Sequence, residues 1–513
     1  MQNYKDGQAT IFGDAGSPRQ SVPDSRNRRL APGGWTFTLA LAGVTCCLGQ
    51  AVPAGFNIGV MNNAAHLMQS FCNESIRERY GAQLSNNGLK ILWSGVVSIF
   101  LIGGVSGSFM ASRLADKYGR KGAMNAGNIF GIIGGCLFFL VRELNSVEVL
   151  LLARLIIGFS GGFATSLVSM YMSEVAPLRL RGAVGVLCQL GLTCGVFLGQ
   201  IAGLDSVLGT TDSWQYMLGS FVPLCVFGLI VTIFFLPESP KFLFIMKEQK
   251  ERALNELTRI RNMDIILLQS EVEDLQQEVE LKTSADPWSI ARIIKDPTLT
   301  LPLFLVCTIQ MGQQLSGINV VFYYSRSIFL NAGLGETGSQ YATLGTGVAN
   351  MLTAVISVVV MSAFNRRKTL LISIYLCFIC MITLCISTLF IDAASFMPWL
   401  STIAMLAYVT FYGLGVGPIP YFIGSELFEV GPRPIAMALG SGFNWGGNFL
   451  VGMMFPSLES AIGAYSFLVF SGFLLIMGQI VRIYLPETRG RSTTEVAAMI
   501  TQGFSSRPNA MRE

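Results

Sequence analysis

The chain has 513 residues, 51% of them hydrophobic and 13% charged, with a formal net charge of +4 and a mean hydropathy of +0.53. A soluble domain carries about 25% charged residues, so this composition excludes an ordinary soluble protein and points to one that crosses a membrane many times. The small, dispersed positive charge gives no footprint for nucleic acid.

Residues 1–34 are polar and rich in Ser, Pro and Arg, and read as a disordered cytoplasmic tail without a signal peptide. Apolar spans of bilayer length then recur near 35–61, 91–111, 123–141, 149–171, 183–203, 215–236, 300–329, 341–364, 369–391, 398–424, 434–455 and 463–485. These twelve spans predict an all-α polytopic fold: a first group of six over 35–236, a hydrophilic linker over 237–299, a second six over 300–485 and a tail over 486–513. Within the linker, KEQKERALNELTRIRN and LLQSEVEDLQQEVELK have the pattern of short amphipathic helices.

Basic residues set the orientation. Arg113 to Lys121, Arg179, Arg181, the linker, Arg366 to Lys368 and Arg489 to Arg491 all fall on one side of a twelve-span chain. Both termini and the linker are therefore expected in the cytoplasm. The segment from Asn62 to Lys90 is expected to be an outer loop, with a glycosylation sequon at Asn73-Glu74-Ser75. Of 11 cysteines only Cys72 falls in a polar loop; the rest, including Cys377 and Cys380, read as small apolar core residues. His66 is the only histidine, no catalytic constellation clusters in the chain, and neither an enzyme activity nor a cofactor or metal is called for.

The seventh span contains QMGQQLSGINVVFYYS (Gln310–Ser325), which sets Gln313, Gln314 and Asn319 into a segment otherwise written for lipid. Amides at that depth need a polar partner or a wet cavity. They donate and accept without charge, which suits a neutral polyhydroxylated ligand better than an ion. Gly317 lies among them, where a helix can break over a site.

The chain also repeats itself. Ser173-Glu174 with Arg181 returns as Ser425-Glu426 with Arg433, at an offset of 252 (426−174 and 433−181). Pro237-Glu238-Ser239 returns as Pro486-Glu487-Thr488, at 249 (486−237), and Arg120-Lys121 as Arg366-Arg367, at 246 (366−120). Two six-span halves in parallel repeat are a layout of secondary transporters. The repeated charges sit at span ends on the linker side, where they read as latches between the halves.

The motifs ADKYGRK (Ala115–Lys121), ARLIIGFSGG (Ala153–Gly162), SEVAPLRLRGA (Ser173–Ala183), PESPKFL (Pro237–Leu243), QQLSGINVVFYYS (Gln313–Ser325), GPRP (Gly431–Pro434), FNW (Phe443–Trp445) and PETRGR (Pro486–Arg491) together resemble the sugar porters of the major facilitator superfamily, and among them the animal facilitative glucose transporters. The resemblance runs over residues 35–497. It implies two six-helix bundles with alternating access to a central hexose site, in a plasma-membrane protein that needs no oligomer. By the same resemblance the sugar contacts are Gln189, Gln313, Gln314, Asn319, Asn350, Asn444 and Trp445, with Tyr421 at a further site position. Phe322, Tyr323 and Tyr324 would close the outer side. Gly417, Pro418 and Pro420 would let the tenth span bend. Asp116, Arg120, Arg154, Glu174, Arg181, Glu238, Glu426 and Arg433 would form the cytoplasmic charge network.

The chain departs from that pattern in places. In the tenth span, Gly413 stands where glucose-preferring members have an acid, and Tyr421 stands where they have a tryptophan. Before the paired glutamines the chain reads Gln310-Met311-Gly312 where the family has Gln-Leu-Ser, a triplet associated with refusing fructose. The expected substrate is D-glucose, with fructose left open. SAFNRRKT (Ser362–Thr369) lacks the acid and glycine usual there, so the second-half latch is expected to be the weaker. Asn57 stands where proton-coupled members carry an aspartate, and an asparagine cannot bind and release a proton. The reading is a uniporter; the alternatives are a proton–sugar symporter and a non-transporting sugar sensor.

Overall fold

A computed structural model describes residues 34–177, 180, 184–284, 288–428, 432–489, 491, 493–500 and 502–506. The tail over 1–33, Arg179, Arg181 and Gly431 lie outside the described residues. Among the described residues all regular structure is helical.

Helix α1 covers Phe37–Asn63 and α2 covers Ala65–Tyr80. They lead into α3 (Asn86–Glu143), α4 (Val147–Val175), α5 (Leu187–Ala202) and α6 (Trp214–Phe234). The linker holds α7 (Lys250–Arg261), α8 (Gln269–Ser284) and α9 (Ile290–Lys295). The second half is α10 (Pro297–Leu315), α11 (Ile318–Asn331), α12 (Glu336–Ala363), α13 (Arg366–Leu389), α14 (Met397–Leu414), α15 (Ile419–Leu427), α16 (Arg433–Ile462) and α17 (Ser466–Tyr484), with α18 (Thr493–Ile500) after it.

Among the described residues, eight helical stretches are long and apolar enough to cross a membrane. Two of them, Asn86–Glu143 with 58 residues and Ile435–Tyr484 with 50, are each long enough to cross twice. At about 1.5 Å per residue, 58 residues in one rod would reach roughly 87 Å, far beyond a hydrocarbon core of about 30 Å. Gly119 resolves this for α3: its φ of 87° and ψ of 171° break the rod and fold it back. Adding the short α5 and the broken α10–α11 pair recovers the twelve predicted crossings.

The chain has a linker end and a far end. Thr36, at the start of α1, donates to Ile260 O of α7 at 2.6 Å, and Arg261 of α7 donates to Val175 O at the end of α4 at 2.7 Å. The close of α1 and the start of α4 therefore lie at the far end. There the segment 62–90, expected as a loop, is mostly the helix α2. Cys72, expected in that loop, is buried because α2 lies down on the first half. Ser75 donates to Asn145 O at 2.7 Å, and the rings of Phe71 and Trp214 are 5.1 Å apart.

Two glycine seams hold the first half together. Gly55 and Gly59 of α1 face Gly195 and Gly199 of α5 so closely that an added Cβ would come within 2.0, 2.2, 2.2 and 2.6 Å of backbone oxygens across the seam. Gly103 and Gly107 of α3 meet Gly158 and Gly162 of α4 in the same way. Without a hydrophobic drive between helices in lipid, such close backbone approach supplies the packing energy. Between the halves, α16 packs on α3, α12 on α5 and α11 on α1.

A Cβ at Gly158 would lie 1.8 Å from Phe100 O, whereas one at Gly95 would meet nothing within 4 Å. Gly158→Ala should therefore destabilise the purified protein by about 2 kcal/mol or more, with Gly95→Ala close to the parent. Equal unfolding midpoints for the two variants would contradict the seam.

Candidate functional site

Two helix breaks face each other in the second half. Between α10 and α11 the chain turns at Ser316 and Gly317, whose φ of 93° only glycine adopts freely. Tyr408 pins that turn by donating to Ser316 O at 2.8 Å. Between α14 and α15 the residues Gly415 to Pro418 leave the helical ladder. Val416 N donates instead to Ser373 Oγ at 3.0 Å, and Gly417 N reaches back to Tyr412 O at 2.8 Å.

The predicted amides gather between these breaks. Gln313 Nε2 donates to the freed carbonyls of Val416 (3.0 Å) and Gly417 (2.7 Å), and Gln310 Nε2 to Pro420 O (2.9 Å). Asn444 of α16 is the hub. Its Nδ2 donates to Gln313 Oε1 at 2.6 Å and Gln310 Oε1 at 2.8 Å, and its Oδ1 accepts from Gln314 Nε2 at 2.8 Å. Asn319 Nδ2 donates to Gln314 Oε1. All five side chains are buried. Asn350 is buried too, but its Oδ1 has no hydrogen-bond partner. A Cβ on Gly413 would lie 3.9 Å from that oxygen and 2.9 Å from Thr353 Cγ2, so Thr353 already fills the space beside Gly413.

Other predicted residues sit around this cluster. Gln189 of α5 lines a narrow gap between the halves, opposite Pro418 and Tyr421. Trp445 is buried against the first half: a Cβ on Gly104 would meet its ring at 2.7 Å, and its ring stands edge-on to that of Phe100 at 6.1 Å. Toward the far end Phe322 is buried, Tyr324 donates to Gly452 O at 3.0 Å, and Tyr323 meets Asn448 Oδ1 at 3.5 Å.

The far end joins the halves directly. Asn62 of α1 donates to Ser325 Oγ at 2.7 Å and to Phe322 O at 3.0 Å. Arg326, buried in α11, donates to Asn63 O and to Glu336 Oε2, the latter at 2.8 Å. Gln340 donates to Asp205 at 2.7 Å, and Lys90 to Ser460 at 3.1 Å. None of these was singled out in the sequence, although one signal was present: Arg326 is a charge in an apolar span, two residues after its aromatic run.

The linker end carries the repeated charges, and among the described residues each half shows its own cluster of contacts. In the first, Arg120 grips Glu174 bidentately at 2.8 and 2.7 Å, and Ser239 donates to the same carboxylate. Glu238 accepts from the backbone N–H of Arg120 (3.0 Å) and Lys121 (3.3 Å), and burial pushes its carboxyl above the usual range. Asp116 stands 3.9 Å from Arg120. In the second, Glu487 accepts from the N–H of Arg366 (2.8 Å) and Arg367 (3.2 Å), and Thr488 donates to Glu426 at 2.5 Å. The Arg366–Glu426 contact is looser, at 3.6 Å. Where Gly119 turns with positive φ, the second half has Asn365 at φ −71°. Arg433 donates from Nε and Nη2 to Phe428 O, both at 3.1 Å.

Arg154 does not belong to this network. It lies two turns into α4 from the far end, fully buried, and gives its donors to the carbonyls of Asn57 (2.8 Å), Val96 (3.2 Å) and Val97 (3.3 Å). Its guanidinium also lies over the Phe100 ring at 4.7 Å. The motif that carries it was read as a charge motif, but the helix direction puts it at the other end.

The family model described as sugar (and other) transporter matches residues 42–500. A facilitated glucose transporter member 5 from Equus caballus is 35% identical over 94% of this chain and 95% of that protein. A facilitated glucose transporter member 3 from Ovis aries is 39% identical over 86% of this chain and 88% of its own length. Among solved structures, the major facilitator superfamily proton:xylose symporter XylE, bound to 6-bromo-6-deoxy-D-glucose, superposes with a TM-score of 0.75 at 21% identity, covering 90% of this chain and 98% of that one. The inward open conformation of XylE from E. coli superposes with a TM-score of 0.70. The fold is thus that of the major facilitator superfamily.

The two linker-end clusters differ in tightness, and their variants should differ in the same order. Arg120→Glu breaks a buried bidentate pair, a loss of about 3 kcal/mol, whereas Arg366→Glu breaks a longer contact. Sugar entry into vesicles should fall further for the first variant; equal losses would contradict the ranking.

Proposed function

The chain belongs to the sugar transporter family, and on that footing we propose that it is a facilitative hexose transporter that moves D-glucose down its gradient by alternating access. The observation that carries this reading is the uncharged amide cluster around Asn444, held between two broken helices, with a further buried amide, Asn350, whose oxygen has no partner. Amides bond to one another in the absence of sugar and exchange those bonds for hydroxyls when it binds, because each can both donate and accept. The supporting roles follow. Gln313, Gln314, Asn319, Asn350 and Asn444 contact the hydroxyls. Gln189 and Tyr421 approach from the gap between the halves. Trp445 offers an apolar face to the pyranose ring.

Uniport is supported at Arg154. Its donors end on backbone carbonyls, one of them that of Asn57, and the Asn57 amide turns back to Pro53 O at 2.9 Å. A bond set made of carbonyls and amides offers no proton to couple to the sugar. In this reading the far end faces outward with Asn73 exposed for glycosylation, the linker lies in the cytoplasm, and the protein works in the plasma membrane without an oligomer. Fructose is proposed as a second substrate, since Gly413 and Tyr421 stand where glucose-preferring members have an acid and a tryptophan.

The test is entry of labelled D-glucose into proteoliposomes of the purified protein, with and without an imposed pH gradient. Saturable entry that ends at equal concentrations and ignores the gradient is expected, with unlabelled fructose competing. Asn444→Ala strands three amide partners and should weaken glucose binding about tenfold or more, as expected when a buried hydrogen-bonding group is left unpaired. Accumulation driven by the gradient would instead make the protein a symporter.

A further inference from the structure

Arg326 makes several of the far-end contacts that join the halves. It projects from α11 of the second half and meets α1 through Asn63 O, α2 through His66 Nδ1 at 3.1 Å, and α12 through Glu336 at 2.8 Å. Its own backbone N–H donates to Asn62 Oδ1 at 3.3 Å. One side chain thus ties two elements of the first half to two of the second, just beyond the aromatic run that covers the amide cluster.

We infer that Arg326 is a positioning residue of the transport cycle: it holds the far end shut, and it lets go when the single histidine beside it takes up a proton. A guanidinium can only donate, so the bond to His66 requires Nδ1 to be the acceptor, which exists only in the neutral imidazole. Protonation turns Nδ1 into a second donor and sets a cation against the guanidinium. Three charged groups face His66 from the elements packed on it. Arg326 of α11 opposes its protonation, while Asp205, after α5, Glu336 of α12 and the backbone of Asn63, the residue whose carbonyl also accepts from Arg326, favour it. Partial burial, followed by the Arg326 charge, holds its pKa below the ordinary 6.5.

The sign follows by linkage. A clasped state whose imidazole titrates below the ordinary value binds fewer protons than an opened state with His66 in water. Acidification on this side therefore favours opening, and the clasp is complete only above the ordinary histidine range. This is modulation of a gate: no proton travels with the sugar, and the uniport reading stands unchanged.

The inference rests on alternating access but can be read without any sugar. Ser94 of α3 is buried and bonded to Tyr324 beside the far-end closure, and Ser94→Cys in the full chain, held in nanodiscs, reports opening through its rate of labelling by a hydrophilic thiol reagent. The rate is taken as a ratio to the same reporter in His66→Gln, which cancels the reagent's own pH dependence. Between about pH 7.5 and about pH 5.5, the window in which histidine changes charge, the ratio should rise severalfold, because the opened state binds the proton more tightly than the clasped one. Arg326→Gln should label fast at both values with no further rise. Asp205→Asn, which removes a group favouring protonation, should move the midpoint to lower pH, and it serves if Arg326→Gln does not fold. A flat ratio, or an Arg326→Gln protein that labels like the parent, would overturn the inference. Because labelling needs no substrate, failure of glucose transport and failure of the clasp remain separate results.

Discussion

At membrane depth a side-chain amide has no water to fall back on, and in this chain that constraint is met at Asn444. Its two polar atoms bind Gln310, Gln313 and Gln314; Gln313 in turn holds the carbonyls freed at Val416 and Gly417, and Gln310 donates to Pro420 O at the start of α15. Each half of the arrangement needs the other. A broken helix exposes carbonyls that cost several kcal/mol in lipid unless they find donors, and the glutamine amides would be as costly without acceptors. The site is therefore also what keeps the two broken helices together.

The same economy of partners governs both ends, but with different chemistry. At the linker end carboxylates take donors from guanidinium, hydroxyl and backbone N–H groups, and among the described residues those bonds stiffen each bundle. At the far end the bonds cross from one half to the other, from Asn62, Asn63 and Lys90 to Ser325, Arg326 and Ser460. Opening toward the far side must break that second set, and closure at the linker side must form new contacts across the gap between Gln189 and Tyr421. An equilibrium between two such states moves only by the difference in bonds between them.

Much of this was legible in the residues. Hydropathy placed all twelve crossings, Gly317 and the Gly415–Pro418 run marked the two helix breaks, and the paired offsets exposed the repeat that the Glu238 and Glu487 contacts now display atom for atom. What was missed has a common cause. Sequence spacing gives depth along a span only when the direction of the span is kept, and Arg154 was grouped with charges at the wrong end of α4. Helix α2 was taken for a loop because it is polar on the side that meets water. Arg326 went unremarked because it stands outside the quoted motif by one residue, and a cross-half partner leaves no periodic signal.

Gly413 shows how composition at one position reaches the substrate. Glycine there lets Thr353 of α12 pack where a side chain would otherwise stand, and the nearby Asn350 oxygen is left without a partner. A carboxylate at residue 413 would have offered that region a charged acceptor. Without it, the acceptors near Asn350 are neutral and uncommitted. A hydroxyl placed differently on the ring can then be met at little cost, because no buried charge must be left unpaired when the wrong isomer binds. On the reading proposed above, discrimination between hexoses would rest on the shape of the space beside Gly413 and Asn350 more than on any one strong bond.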